Sequence, residues 1–276
     1  MMVETKRFIA PGGWFAIQYP STWSEFEDST ESFLFYNPDV WDGNFRISAY
    51  QEKGNHQFGP ESLRQCLIHN PSASRVTVGD FQAAYYQELF EEDEQEFVTH
   101  SWEIAAGALL VVVSFTSLSS ADKSVAEAII ATLEPRELEK KYPAEIIAIR
   151  VAEISEINEA FEWTQQLVKE QLDTDFQGQE EDLDKLQRAI GLASFSGKKR
   201  TPWISLGIIL CVIMMNEIDG LEWCSLIDGN REAPVLRRQG TDTVVDPLKL
   251  VWSRKKRGED INFKEIYEGA IEELFH

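Results

Sequence analysis

The sequence predicts an α+β protein in two folded parts: an antiparallel sheet covered by helices, then a buried helix beside a small antiparallel sheet. Three observations predict it. The first half is a succession of short aromatic and β-branched runs separated by turn dipeptides. The second half shows helical spacing around one uninterrupted apolar segment, and a charged stretch bearing two prolines lies between them. At 276 residues the chain exceeds the usual single-domain size of about 100–150 residues, and its 43% hydrophobic and 11% aromatic content is enough to build a core.

Taken in order, residues 14–19 form a strand that Pro20 closes, and residues 32–36 and 44–50 follow, with Asn37-Pro38 and Asp42-Gly43 as turn signals. Gly59-Pro60 opens a helix through His69, with Leu63, Cys66 and Leu67 as its apolar stripe, and Asn70-Pro71 ends it. Residues 81–89, 97–104 and 108–116 read as a meander. Its first two strands flank the acidic segment Glu91-Glu92-Asp93-Glu94, and Ala106-Gly107 turns the chain between the second and third. Residues 109–113 are continuously apolar, which places that strand at the centre of the sheet, buried on both faces beneath helices. A helix over residues 121–133, introduced by Ser119 and Ser120 and closed by Glu134-Pro135, supplies a cover.

Residues 134–143 have no apolar period, so the chain divides there into a domain over residues 1–136 and another over residues 137–276. Residues 144–172 then read as one helix, with Ile154, Ile157, Phe161, Thr164 or Gln165, and Val168 on one side. Residues 180–192 give a second helix through Leu183, Leu186 and Ile190. Thr201-Pro202 has the form of a cap followed by proline at the first helical position, and opens an apolar helix that Gly220 stops. Residues 221–227 read as a strand, Asp228-Gly229 as a turn, and residues 233–237 and 243–245 as partners. Asp246-Pro247 repeats the cap-then-proline pattern before a helix over residues 248–257, and Asn262 with Glu265 starts the last helix.

Charge narrows the partners. With 26 Lys and Arg against 47 Asp and Glu the formal net charge is -21, split as -12 up to Arg136 and -9 beyond it. Such a surface repels nucleic-acid phosphates and anionic headgroups and favours basic partners. The apolar stretch 204–215 is shorter than the roughly 20 residues that cross a bilayer, so no membrane span is expected. The N-terminal residues lack the apolar run of a signal peptide, and Cys66, Cys211 and Cys224 are odd in number and far apart, so reduced thiols and a cytoplasmic location are expected.

No chemistry-bearing motif stands out. His56, His69, His100 and His276 have no metal-ligand spacing, and there is no nucleophile elbow, Walker loop or dinucleotide fingerprint, so neither a cofactor nor an enzymatic activity is expected. The candidates are for binding. Glu91, Glu92, Asp93 and Glu94, with Glu96, form a docking site for a basic partner or a solvated hairpin tip. Trp41, at the tip next to Asp42-Gly43, is an aromatic available for contact if it is exposed. Arg254, Lys255, Lys256 and Arg257 grip a phosphate or an acidic surface, or stabilise the dipole of the helix they end. Trp223, Asp228 and Arg237 form a polar site on the second sheet, or serve as a core aromatic, a turn residue and a surface cation.

The opening GGWFAIQYPSTWSEFED, with SFLFYN and NFRISAY after it, resembles the start of the PsbP-like family through Tyr19, Pro20 and Trp23. The resemblance covers roughly residues 7–136. It implies an α/β/α sandwich with an antiparallel sheet and a binding or assembly role rather than catalysis. Leu206-Gly207, Gly220-Leu221, Trp223, Asp228 and Pro247, followed by residues 254–257, resemble the pattern of a bacterial domain of unknown function. Together these point to a non-enzymatic protein-interaction module, such as an adaptor or immunity-type binder of a basic partner. The alternatives are a small-molecule binder or enzyme with a site between the two halves, marked by converging side chains such as Asp228 and Arg237, and a scaffold within an oligomer.

Overall fold

The fold comes from a computed structural model that describes residues 4–29, 31–137, 140–193, 200–229 and 231–275. The chain divides into two compact units, Met1–Lys141 and Tyr142–His276.

The first unit contains β1 (Thr5–Ile9), β2 (Phe15–Pro20), β3 (Ser24–Ser29), β4 (Ser32–Tyr36), β5 (Asn44–Tyr50), α1 (Phe58–His69), β6 (Ser74–Val78), β7 (Phe81–Glu92), β8 (Gln95–Ala106), β9 (Leu109–Leu118), α2 (Ser124–Ile130) and β10 (Glu134–Pro135). Seven strands form one antiparallel sheet in the order β3-β4-β5-β9-β8-β7-β6, and β1, β2 and β10 form a second, smaller one. The expected meander is therefore present, with β9 at the centre. Alternate residues of β9 differ in environment. Leu109, Val111, Val113 and Phe115 are buried in the main core with Trp102 and Ile104 of β8, Phe33 and Phe35 of β4, Phe8 of β1, Phe15 and Ile17 of β2, and Ala126, Ile129 and Ile130 of α2. Leu110 and Val112 are half-buried on the other face, where α1 packs on β7, β8 and β9. The layers are thus α1, the seven-stranded sheet, and α2 with the small sheet. Gly59 lets α1 settle closely, since a Cβ there would lie 2.3 Å from the Leu109 carbonyl oxygen.

Three local expectations change. The helix after β9 is shorter than residues 121–133. Its first turn is held by Asp122, whose Oδ1 accepts the Ser124 N–H at 3.0 Å, rather than by Ser119 or Ser120. Glu134 and Pro135 do not lie in a loose connection, because they pair with Ala16 and Phe15. β1, β3 and β6 escape the sequence reading because each is five or six residues long, is rich in charge or hydroxyls, and gains its strand character from a neighbour.

The second unit contains β11 (Glu145–Ala148), α3 (Val151–Leu172), α4 (Leu183–Leu192), α5 (Arg200–Glu217), β12 (Leu221–Asp228), β13 (Arg231–Arg238), β14 (Val244–Val245), α6 (Ser253–Lys256) and α7 (Phe263–Phe275). α5 is the buried helix, enclosed on nearly every side, and with α3, α4, α7 and the antiparallel sheet β11-β12-β13-β14 it forms one core. The sequence reads residues 144–172 as one helix, but Ile146 and Ile147 pair with Leu226 and Ser225 of β12, so residues 145–148 of that span are strand and the helix starts at Val151. The buried stripe of α3 is Glu153, Ala160, Thr164, Leu167 and Val168, and Ile154 is exposed. Residues 180–182 form a 3-10 turn before α4. Thr201 lies inside α5 instead of capping it, and the preceding residues 194–199 lie outside the described ones. Asp246 accepts the Leu248 N–H as expected, although residues 248–252 take the wider π form before α6.

Candidate functional site

The β7–β8 hairpin projects past its neighbours, and its far end gathers charge and apolar surface together. Asp93 and Glu94 form its two-residue turn with φ of 49° and 62°, the left-handed pair that such hairpins require and that Asn-Gly satisfies with less strain. Glu91, Glu92, Asp93, Glu94 and Glu96 are all exposed. No Lys or Arg occurs between Arg75 and Lys123, and among the described residues no ion pair reaches Glu88, Glu91, Glu92, Asp93 or Glu94.

The register decides which side chains share a face with this charge. Phe90 pairs with Phe97, and Phe97 with Leu118, so the three stand in a row across β7, β8 and β9 on the face that carries α1. The Phe90 and Phe97 rings stack 5.4 Å apart, and Trp41 meets Phe97 edge-on at 6.0 Å. Trp41 is held there by the loop before β5. Asn37 Oδ1 accepts the Asp39 N–H, the Trp41 indole N–H donates to Asn44 Oδ1 at 2.9 Å, and Gly43 sits against the Phe115 ring where a Cβ would come within 2.4 Å. The result is an open apolar surface in which Trp41 is 42% exposed, Phe90 39% and Leu118 37%, with Val40 at 67% and, on the opposite face of β7, Leu89 at 65%. Contiguous exposed apolar surface rimmed by charge is characteristic of interaction sites. The acidic run and Trp41 were legible in the sequence. Their meeting with Phe90, Phe97 and Leu118 was not, because it joins segments far apart in the chain.

The other candidates do not converge. Arg237 and Glu222 are paired across β12 and β13 and bonded at 2.9 Å. Asp228 lies six residues along β12, opposite Arg231. Trp223 is opposite Leu236, on the other face of the sheet from Arg237 and Asp228, and packs against the core. Trp223 therefore acts as a core aromatic, and the three do not form a single polar site. Arg254 and Arg257 both reach Glu259, at 3.7 and 2.5 Å, and Lys255 lies 4.9 Å over the Trp203 ring. Arg254, Lys255 and Arg257 are thus engaged within their own unit.

The second unit holds a charge network that the sequence does not advertise. Arg150 is only 1% exposed, and it donates to Glu153 through Nε at 2.8 Å and to Glu232 at 2.7 Å. Ser225 Oγ donates to Glu153 at 2.5 Å and accepts the Arg150 N–H at 3.0 Å. Beside it, Arg231 pairs with Asp246 at 2.5 Å, and Glu156, Glu159, Trp163, Arg200 and Ile204 line an open cleft of about 730 Å³. Burial, with Glu153 and Glu159 nearby, raises the pKa of Glu156, while Arg231 opposes the shift. These groups tie α3 to β12 and β13. Among the described residues no three or more His, Cys, Asp or Glu are arranged to hold a metal ion, and no helix is long and apolar enough to cross a membrane.

Comparison with known proteins places the chain in sequence. The family model Domain of unknown function (DUF3805) matches residues 3–158, and Domain of unknown function (DUF3806) matches residues 182–267. A crystal structure from Bacteroides thetaiotaomicron VPI-5482 is 48% identical, covers 98% of this chain and 99% of its own, and superposes with a TM-score of 0.92. The solution structure of cyanobacterial PsbP from Synechocystis sp. PCC 6803 is 10% identical over 49% of this chain and 95% of its own, with a TM-score of 0.28. LpqN of Mycobacterium tuberculosis, described as involved in cell envelope biogenesis, is 13% identical over 49% of this chain and 93% of its own, with a TM-score of 0.31. A search of curated proteins finds no match.

Proposed function

The chain belongs to the DUF3805 family, and we propose that it acts as a non-catalytic interaction module that captures a basic protein partner at the end of its β7–β8 hairpin. One observation carries the reading: an apolar row of exposed Trp41, Phe90 and Leu118 around half-buried Phe97 lies beside a run of carboxylates that no ion pair reaches among the described residues. Apolar surface supplies the contact energy and the carboxylates supply the choice of partner and the encounter rate. The turn supports it further. Two Cβ-bearing acidic residues in left-handed conformation cost stability relative to Asn-Gly, which is expected where the charge itself is used. An adaptor or immunity-type role in the cytoplasm fits such capture, and nucleic acid and anionic membrane surfaces are excluded from this surface by their charge.

The test is capture of a protein by the immobilised full chain at low and at high salt, with the wild type beside the E91K/E92K/D93K/E94K variant. The expected result is one basic partner retained at low salt, released at high salt and absent from the variant. Equal retention by the variant overturns the reading.

A further inference from the structure

The backbone of β7 ends in an open edge. β6 pairs with β7 only as far as Ser74 opposite Tyr85, whereas β8 continues beside β7 until Glu92 meets Gln95. Residues 86–92 are therefore paired on one side alone. No main-chain hydrogen bond from another described segment reaches them, and residues 87–92 are exposed. At about 3.4 Å per residue this edge is roughly 24 Å long, the length of an ordinary strand.

Edges of this kind are usually blunted by charge throughout, by proline or by brevity. This one is long, lacks proline, and sets Leu89 and Phe90 in the middle of its charges, with Leu89 65% exposed. Alternation gives the edge a readable pattern: Glu88, Phe90 and Glu92 stand on the face that carries α1, and Gln87, Leu89 and Glu91 on the other.

We infer that residues 86–92 of β7 receive an extended segment of the partner as an eighth strand, and that this segment carries a Lys or Arg, an apolar residue and a second Lys or Arg at alternate positions opposite Glu88, Phe90 and Glu92. Main-chain hydrogen bonds hold such a strand, and cross-strand pairs select its sequence. A second copy of this chain fits poorly, because its edge brings Glu88, Glu91 and Glu92 of both copies to one seam, with no Lys or Arg in residues 86–92 to offset them. This inference rests on the reading of the hairpin end as the binding surface, and adds the mode of recognition.

The probe is a synthetic peptide with a Lys-Thr-Val-Thr-Lys core, compared with a peptide of identical side chains and charge whose alternate backbone nitrogens are methylated. Each is titrated into the full chain at low salt, with hydrogen exchange followed by mass spectrometry. The expected result is binding of the plain peptide with slowed exchange in residues 86–92, and binding at least about tenfold weaker for the methylated one, since the strand's main-chain bonds are lost. The E88K/E92K variant is expected to lose the plain peptide. Equal binding of the two peptides without slowed exchange overturns the added strand while leaving charge-driven capture standing. No binding of the plain peptide, or protection of residues 86–92 by self-association of the full chain without peptide, overturns the inference as well.

Discussion

Arg150 and Glu153 form a buried ion pair that the fold depends on. Without Glu153 the buried Arg150 is left with the more exposed Glu232 and Ser225 loses its acceptor, so Glu153→Ala is expected to lower unfolding free energy by about 3 kcal/mol in chemical denaturation. Replacing Arg150 and Glu153 together by apolar residues of similar volume is expected to cost less than that single change, which separates a structural network from a group kept for chemistry. Glu156 behaves in the opposite sense. Its folded pKa is raised, by burial first and then by Glu153 and Glu159, so its favourable contribution is complete below the ordinary glutamate value of about 4.3 and is lost as pH rises through the folded value. Glu156→Gln is therefore expected to raise the melting temperature at pH 7 and to leave it unchanged near pH 4; a gain confined to acid pH contradicts this assignment. Neither residue was legible beforehand. Arg150 and Glu153 are three apart at the start of a helix, as many exposed pairs are, and only the pairing of β11 with β12 buries them.

At the scale of elements, close approach is built into helix α5 by a glycine of ordinary helical conformation. A Cβ on Gly207 would lie 2.1 Å from the Pro247 carbonyl oxygen, whereas one on Gly269 of α7 meets nothing within 4 Å. Gly207→Ala is accordingly expected to destabilise by about 3 kcal/mol as α5 and the Pro247 turn are pushed apart, and Gly269→Ala to stabilise by roughly 1 kcal/mol through helix propensity. Equal effects would show that α5 does not seat as described. Elements with a strong period or a turn dipeptide were legible: β4, β5, the β7–β9 meander, α1, α5, β12 and α7 all follow their sequence signals. Misreadings occur where pairing overrides local pattern. Residues 145–148 carry on the apolar spacing of the helix behind them and become strand only because β12 lies alongside. Ile154 looks like part of the buried stripe, but the stripe follows Ala160, Thr164 and Val168, and Glu153 takes the buried position through its bond to Arg150.

For the whole molecule, the composition describes the surface correctly in sign and leaves its layout to the fold. Two cores form, one drawn from residues 8–133 and the other from residues 160–274, and the net charge of -21 is spread over both units. What distinguishes one region from that general negativity is the conjunction at the hairpin end, where carboxylates that no ion pair reaches among the described residues stand beside exposed aromatic surface. The carboxylates were readable as a run, while the aromatic row depended on the register of β7, β8 and β9. The most direct test of the account is hydrogen exchange of the full chain with and without its captured partner. The prediction is slowed exchange at residues 37–44 and 86–98, with the α3–α5 region unchanged. Protection elsewhere, with those two segments exchanging as in the free chain, would contradict it.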